Sequence, residues 1–199
     1  MNNSFKAYPI GKLVTWGIIG LVGLILIIGL IGLIPSYNGL TTADQKIQNS
    51  WGQVEVLLQA RADKINNLVE VVKGYVKHEE KVFGDVAAAR STLLNANADI
   101  SQKLNADAQL TSAARSMLLL VENYPNLKAD QQFHDLSIAI EGAENRIAIA
   151  RKDFNDSVNL YNTKVKTFPG KLYAKLYGFT AKDYFKATPE AQAAPKVKF

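Results

Sequence analysis

The chain alternates between one unbroken apolar run and several interrupted apolar stripes. Leu13 to Ile34 (LVTWGIIGLVGLILIIGLIGLI) is 22 residues without a charge. At a rise of ~1.5 Å per residue, about 20 apolar residues cross the hydrocarbon layer of a bilayer, so this run predicts a transmembrane helix. It is longer than the ~7–15 residue core of a cleaved leader, and the PSYNGLTTAD that follows holds no A-x-A site, so it reads as an uncleaved signal anchor. Gly17, Gly20, Gly23, Gly29 and Gly32 lie inside it. Glycine is common in membrane helices and also lets them approach closely, so a plain span and a self-packing one both stay open.

Tyr37 to Arg90 contains no proline. Steps of four and three through it give Ile47, Trp51, Val54, Leu58, Arg61, Ile65, Leu68, Val72, Tyr75, Glu79, Val82, Val86 and Ala89, of which eleven of thirteen are apolar. Only a helix repeats at that period. The pattern predicts one helix over the whole run, with Gly74 and Gly84 as places where it could break and Pro35 as a kink behind the span. Leu57, Val69, Val71, Val76 and Phe83 fall outside the seam, and extra apolar width calls for further neighbours, from this chain or from copies. Asn95 to Asp107 (NANADISQKLNAD) is rich in Asn, Asp and Ala and predicts a turn region. A shorter helix follows with Leu110, Ala114, Met117, Leu118 and Val121 as its stripe, stopping before Pro125.

Asp130 then predicts an N-cap for a helix running to about Thr167. Its seam is Phe133, Ser137, Ile140, Glu144, Ile147, Arg151, Phe154, Val158, Tyr161, Val165 and Phe168, eight of eleven apolar, and Pro169-Gly170 stops it. The predicted fold is all-α: an N-terminal transmembrane helix followed by an up-and-down antiparallel bundle of three to four helices, two of them long. The expected division is a short basic tail over 1–12, the span over 13–34, the bundle over 36–168 and a basic, aromatic C-terminal segment over 169–199.

Charge then orients the molecule. Lys6 and Lys12 precede the span and only Lys46, beside Asp44, follows it closely, which favours a cytoplasmic N-terminus and an exported body. The expected location is the bacterial inner membrane, crossed once. The chain of 199 residues carries a net charge of +5, 48% hydrophobic residues and no cysteine, which excludes a disordered chain, a disulfide scaffold, a thiolate zinc site and a thiol nucleophile. From Lys164 onward eight lysines face Asp183 and Glu190, among interleaved aromatics. Lys171, Lys175, Lys182 and Lys186 are therefore candidates for contact with anionic lipid or an acidic partner, and no nucleic acid is expected. The plainer reading is a tail whose aromatics plug the bundle while its lysines stay in water.

Charged residues interrupt both seams: Arg61 and Glu79 in the first, Glu144 and Arg151 in the second. A core-facing charge costs several kcal/mol unless paired. Facing helices offer opposite signs, so these four are expected to form an interhelical polar network that sets register. A polar cleft that binds something is the alternative. No catalytic, cofactor-binding or metal-ligating residue is predicted. No serine sits in a G-x-S-x-G elbow, there is no Walker or G-x-G-x-x-G loop, and neither His78 nor His134 stands in a ligand spacing.

Several groups of residues form one joint pattern along the chain. They are Tyr37-Asn38-x-Leu40; Trp51, Leu58 and Arg61; Asn67-Leu68-Val69-Glu70-x-Val72-Lys73-Gly74-Tyr75 with His78-Glu79; and Glu122-x-Tyr124-Pro125-x-Leu127-Lys128. Glu144-x-x-Ile147-Ala148-x-Ala150-Arg151-x-x-Phe154-Asn155-x-x-Val158-x-x-Tyr161-Asn162, Phe168-Pro169, Gly178-Phe179 and Pro195-x-Val197-x-Phe199 complete the pattern. Together these residues resemble the LemA family of bacterial membrane-anchored helical proteins, and Phe154 stands where that family often shows Tyr. The resemblance implies a helical bundle behind a membrane helix and no catalytic residues. With it the sequence predicts a non-catalytic, self-associating interaction or scaffold protein of the envelope. The alternatives are a partner or activator of an envelope membrane protease or other enzyme, and a sensor of anionic lipid surfaces.

Overall fold

The computed structural model describes residues 10–76 and 79–185. Seven α-helices follow one another among them: α1 (Ile10–Ile31), α2 (Leu33–Lys73), α3 (Glu80–Leu94), α4 (Ile100–Leu120), α5 (Pro125–Lys128), α6 (Gln131–Lys166) and α7 (Gly170–Tyr177), with a single 3-10 turn at Val121–Asn123. The described regular structure is helical throughout, as the periodicity predicts. His78, Lys186, the first nine residues and the chain beyond Phe185 lie outside the described residues.

The described chain forms two compact units. One holds residues up to 45 together with 159–183. Here α1 gives way to α2 at Gly32 alone. Pro35 has no N–H to offer the Ile31 carbonyl, which accounts for the interruption. Helical hydrogen bonding resumes at once: Gly32 N–H donates to Ile28 O, and Ser36 N–H to Gly32 O, both at 3.1 Å. The proline marks the rod without ending it. Val14 onward is one helix long and apolar enough to cross a membrane, and its apolar window is wholly uncovered by protein. Against its end stand the last turns of α6 and the whole of α7, around buried Leu40, Ala43, Val165 and Ala174. Gly178, at φ +76°, takes the left-handed conformation that closes α7.

The second unit holds 46–158 with the described end of the chain. The side-chain pairs that cross it fix strand direction of each helix. Glu55 meets Lys103 and Arg61 meets Asp107, so α2 and α4 run parallel. Asp63 meets Arg90 at 2.9 Å, which sets α3 antiparallel to α2. Ser50 meets Ser157 at 2.9 Å and Arg61 meets Glu144, so α6 runs antiparallel to α2. The result is an up-down-up-down bundle of four helices. Val54, Leu58, Ile65, Leu68 and Val72 from α2, Val86 and Ala89 from α3, Leu110 and Met117 from α4, and Ile147, Phe154 and Val158 from α6 fill its core.

Two expectations are corrected. The first long helix does not continue to Arg90. It ends at Lys73, the chain turns through Gly74 and Tyr75, and α3 folds back. Glycine in a helix interior costs ~1 kcal/mol relative to alanine, and here the turn is further fastened. Tyr75 Oη donates to Asp130 Oδ2 at 2.7 Å, and the Lys73 ammonium lies 5.7 Å from the Phe83 ring centre. Folding back also covers Val69 and Val76, the width the seam could not explain. The turn region is likewise shorter than Asn95 to Asp107. It closes at Asp99, whose carboxylate accepts from Gln102 N–H at 2.7 Å while the Gln102 side chain accepts from Asp99 N–H at 3.0 Å. That reciprocal cap starts α4 at Ile100 and places Asp107 well inside a helix.

Candidate functional site

The seam charges converge on Asp107, a residue the sequence reading left in a loop. Arg61 reaches from the middle of α2 and is almost wholly enclosed. Its Nη1 donates to Glu144 Oε2 on α6, and its Nη2 donates to Asp107 Oδ1 on α4. The same Nη2 reaches Thr111 Oγ1 at 2.9 Å and the Asp107 carbonyl at 3.3 Å. Arg151 Nη2, one helical repeat beyond Glu144 on α6, donates to Asp107 Oδ2 at 2.5 Å. Thr111 Oγ1 donates back to the Asp107 carbonyl at 2.8 Å, so the threonine serves as acceptor and donor at once. Two guanidinium groups and two carboxylates balance to zero charge.

The cluster is graded from dry to wet. The Asp107 side chain is 3% exposed, that of Arg151 32% and that of Glu144 49%. Burial raises the Asp107 carboxyl above the usual carboxylate range, against the pull of Arg61 and Arg151, with the nearby Glu144 charge adding to the rise. Desolvation therefore outweighs attraction at the centre, as is common for enclosed ion pairs. The arrangement locks three helices in register and contributes little to overall stability. Both Asp107 oxygens are engaged, by Arg61 and by Arg151.

Of the four residues predicted to form the network, Arg61, Glu144 and Arg151 come together and Glu79 does not. Glu79 sits at the entrance to α3, on the far side of the break at Gly74, and gives that helix no side-chain cap. Asp107 fills the acidic role instead. The signal that could have found it is Asp99-x-x-Gln102, a helix start that puts Asp107 two turns inside α4. His134 lies exposed near the start of α6, away from the cluster. No group of metal-ligating side chains occurs among the described residues.

The predicted contact lysines separate in the same way. Lys171 and Lys175 stand exposed on α7. Lys182 is tied down: its ammonium lies 3.2 Å from Asp44 and 6.0 Å from the Tyr161 ring centre. Its backbone is gripped by Asn162, whose Nδ2 donates to Lys182 O at 2.8 Å and whose Oδ1 accepts from Lys182 N–H at 2.9 Å. Tyr161 Oη donates to Thr180 O at 2.9 Å beside it. In the other unit Asn155 grips Phe185 by the same pair of bonds, at 3.2 and 2.8 Å, and the Phe185 ring packs 4.5 Å from Phe154 and 5.8 Å from Trp51. The described segment after α7 is thus held by main-chain grips in both units, and Phe185 joins an aromatic cluster with Phe154 and Trp51.

The sequence model of the LemA family matches residues 50–199, which include the whole Arg61 cluster and both asparagine grips. The chain is 24% identical over 178 residues to magnetosome protein MamQ 2 of Paramagnetospirillum magneticum, covering 77% of this chain and 65% of that protein. Magnetosome protein MamQ of Magnetospirillum gryphiswaldense is similar to the same extent. Protein LemA of Metamycoplasma hominis is 24% identical over 131 residues, 66% of this chain and 60% of its own length. The matched stretch spans less than two thirds of each of these relatives.

Proposed function

The chain belongs to the LemA family, and from that premise we propose that it is a single-pass membrane-anchored protein of the bacterial envelope whose helical body works by contact, without catalysis. The carrying observation is α1. Its charge-free run, Leu13 to Ile34, has an apolar window that no protein covers, and such a run is stable in the acyl interior of a bilayer. The Arg61 cluster supports the non-catalytic part of the reading, because its charges are spent on one another. Lys6 and Lys12 ahead of the span support a cytoplasmic N-terminus and an exported body.

The contact is with further copies of the chain. Leu119, Ile138 and Ile149 expose large apolar side chains on the body, and Gly17, Gly20, Gly23 and Gly29 have nothing near the place a Cβ would occupy. Mass photometry and crosslinking of the full chain in mild detergent test this. Discrete oligomers that survive dilution support it, and a monomer at every concentration refutes it. Capture of an envelope protease or another enzyme by a monomeric chain would favour the activator reading instead.

A further inference from the structure

The short helix α7 presents an apolar row that the protein leaves uncovered. Leu172 and Leu176 are 63% and 67% exposed, and Phe168, one turn ahead, is 86% exposed. Its opposite face is fastened. Ala174 is buried, Tyr173 Oη donates to Gly29 O and Tyr177 Oη donates to Leu33 O, both at 3.2 Å. Both acceptors belong to the last turns of the apolar run, which closes at Ile34. Gly32 has no Cβ because one would overlap the Tyr173 hydroxyl. Tyr37 and Tyr177 meet edge-on at 5.1 Å at the same level, with Phe179 6.0 Å from Tyr37. Aromatic rings of this kind collect where hydrocarbon meets headgroups.

We propose that α7 is an interfacial helix: it packs along the last turns of the span where the apolar run leaves the bilayer, with Phe168, Leu172 and Leu176 entering the acyl boundary and Lys171 and Lys175 facing anionic lipid phosphates. This rests on the reading that α1 crosses a membrane. Lipid is the occupant because α7 is fastened to Gly29 and Leu33 of the apolar run, whose Leu30, Ile31 and Ile34 are themselves exposed, so both helices present uncovered apolar side chains at the end of the span. Lys171 and Lys175 neighbour Leu172 and Leu176 in the chain and are likewise exposed, so one short helix offers apolar side chains to acyl chains and ammonium groups to anionic phosphates. Gly29 lies five residues inside the end of the run, about 7.5 Å at the helical rise, which sets α7 at the depth of that boundary.

The chain has no native cysteine, so Ile27→Cys, Leu176→Cys and Val56→Cys each carry one spin label on the full chain. Each is reconstituted in vesicles of phosphatidylethanolamine with phosphatidylglycerol, and accessibility to oxygen is compared with accessibility to a water-soluble nickel complex. The expected oxygen-to-nickel ratio at 176 is several-fold above that at 56 and approaches that at 27. In the Lys171→Glu, Lys175→Glu background the ratio at 176 falls in these vesicles and holds in phosphatidylcholine. A label at 176 as wet as that at 56, with 27 in lipid, overturns the role of α7 and leaves the span standing. A wet label at 27 overturns both. Shielding of 176 from both reagents, with spectral broadening that disappears when unlabelled chain is added, assigns the surface to a second copy and also overturns the proposal.

Discussion

Removing the Asp107 carboxylate should expose how the Arg61 cluster is balanced. In Asp107→Ala, Arg61 Nη2 keeps only Thr111 Oγ1 at 2.9 Å among side-chain acceptors, Arg151 Nη2 loses its partner, and the cluster goes from neutral to a net positive charge. Arg61 keeps Glu144 but cannot reach water to recover the lost bonds, so the expected cost is about 3 kcal/mol, the low end of the range for breaking an enclosed ion pair. Against a domain stability of about 5–15 kcal/mol, that removes about a fifth or more. The double variant Arg61→Met, Asp107→Leu should behave quite differently. It leaves Glu144 and Arg151, whose side chains are 49% and 32% exposed and are free to hydrate. Its expected stability lies within about 1.5 kcal/mol of the native chain. Urea unfolding of the full chain in mild detergent, followed by circular dichroism, measures both. An Asp107→Ala cost below about 1 kcal/mol, or a double variant as damaged as the sum of its singles, would refute the reasoning.

Two aspartates should carry opposite pH signatures. Asp107 is raised by burial, so its contribution is present below the unfolded value near 3.8 and is lost as pH rises through the folded value; the native chain should gain on Asp107→Asn as pH falls through that window. Asp130 is lowered, first by the Phe133 N–H and then by the Tyr75 hydroxyl, so its contribution is present above 3.8 and is lost as pH falls through the folded value; the native advantage over Asp130→Asn should shrink in acid, in the same unfolding assay. Asn162→Ala removes two hydrogen bonds that hold the segment around Lys182, worth together about 1–3 kcal/mol, and trypsin should then cleave after Lys182 measurably faster than in the native chain. Gly32→Ala should displace α7 through the Tyr173 hydroxyl, and Tyr173→Phe should recover part of the loss, read as the accessibility of a label at position 176.

The helices were legible wherever apolar periodicity was unbroken. Asp130 as a cap and Pro169 as a stop define α6 within a residue, because both act through local backbone chemistry. The break after Lys73 was hidden because α3 resumes with Val86 and Ala89 still in phase with the seam, so a fold-back imitates a continuous helix. Asp107 was hidden by its neighbourhood, since a run of Asn and Asp reads as turn unless the Asp99 and Gln102 cap is noticed first. Glu79 failed for a related reason: a seam position has no core to face once its helix has ended. Asn155 and Asn162 stood in the family pattern without a role, because a side-chain amide that grips a backbone twenty or more residues away leaves no local signature.

Those asparagines grip main-chain atoms only, so what they hold need not have any particular side chain. The main-chain bonds at 182 and 185 survive substitution of Lys182 or Phe185, whose side chains make separate contacts, provided each position retains its amide hydrogen. Proline is the one letter forbidden at both, and the trailing segment is thereby free to diversify its outward chemistry while its course along the body is kept.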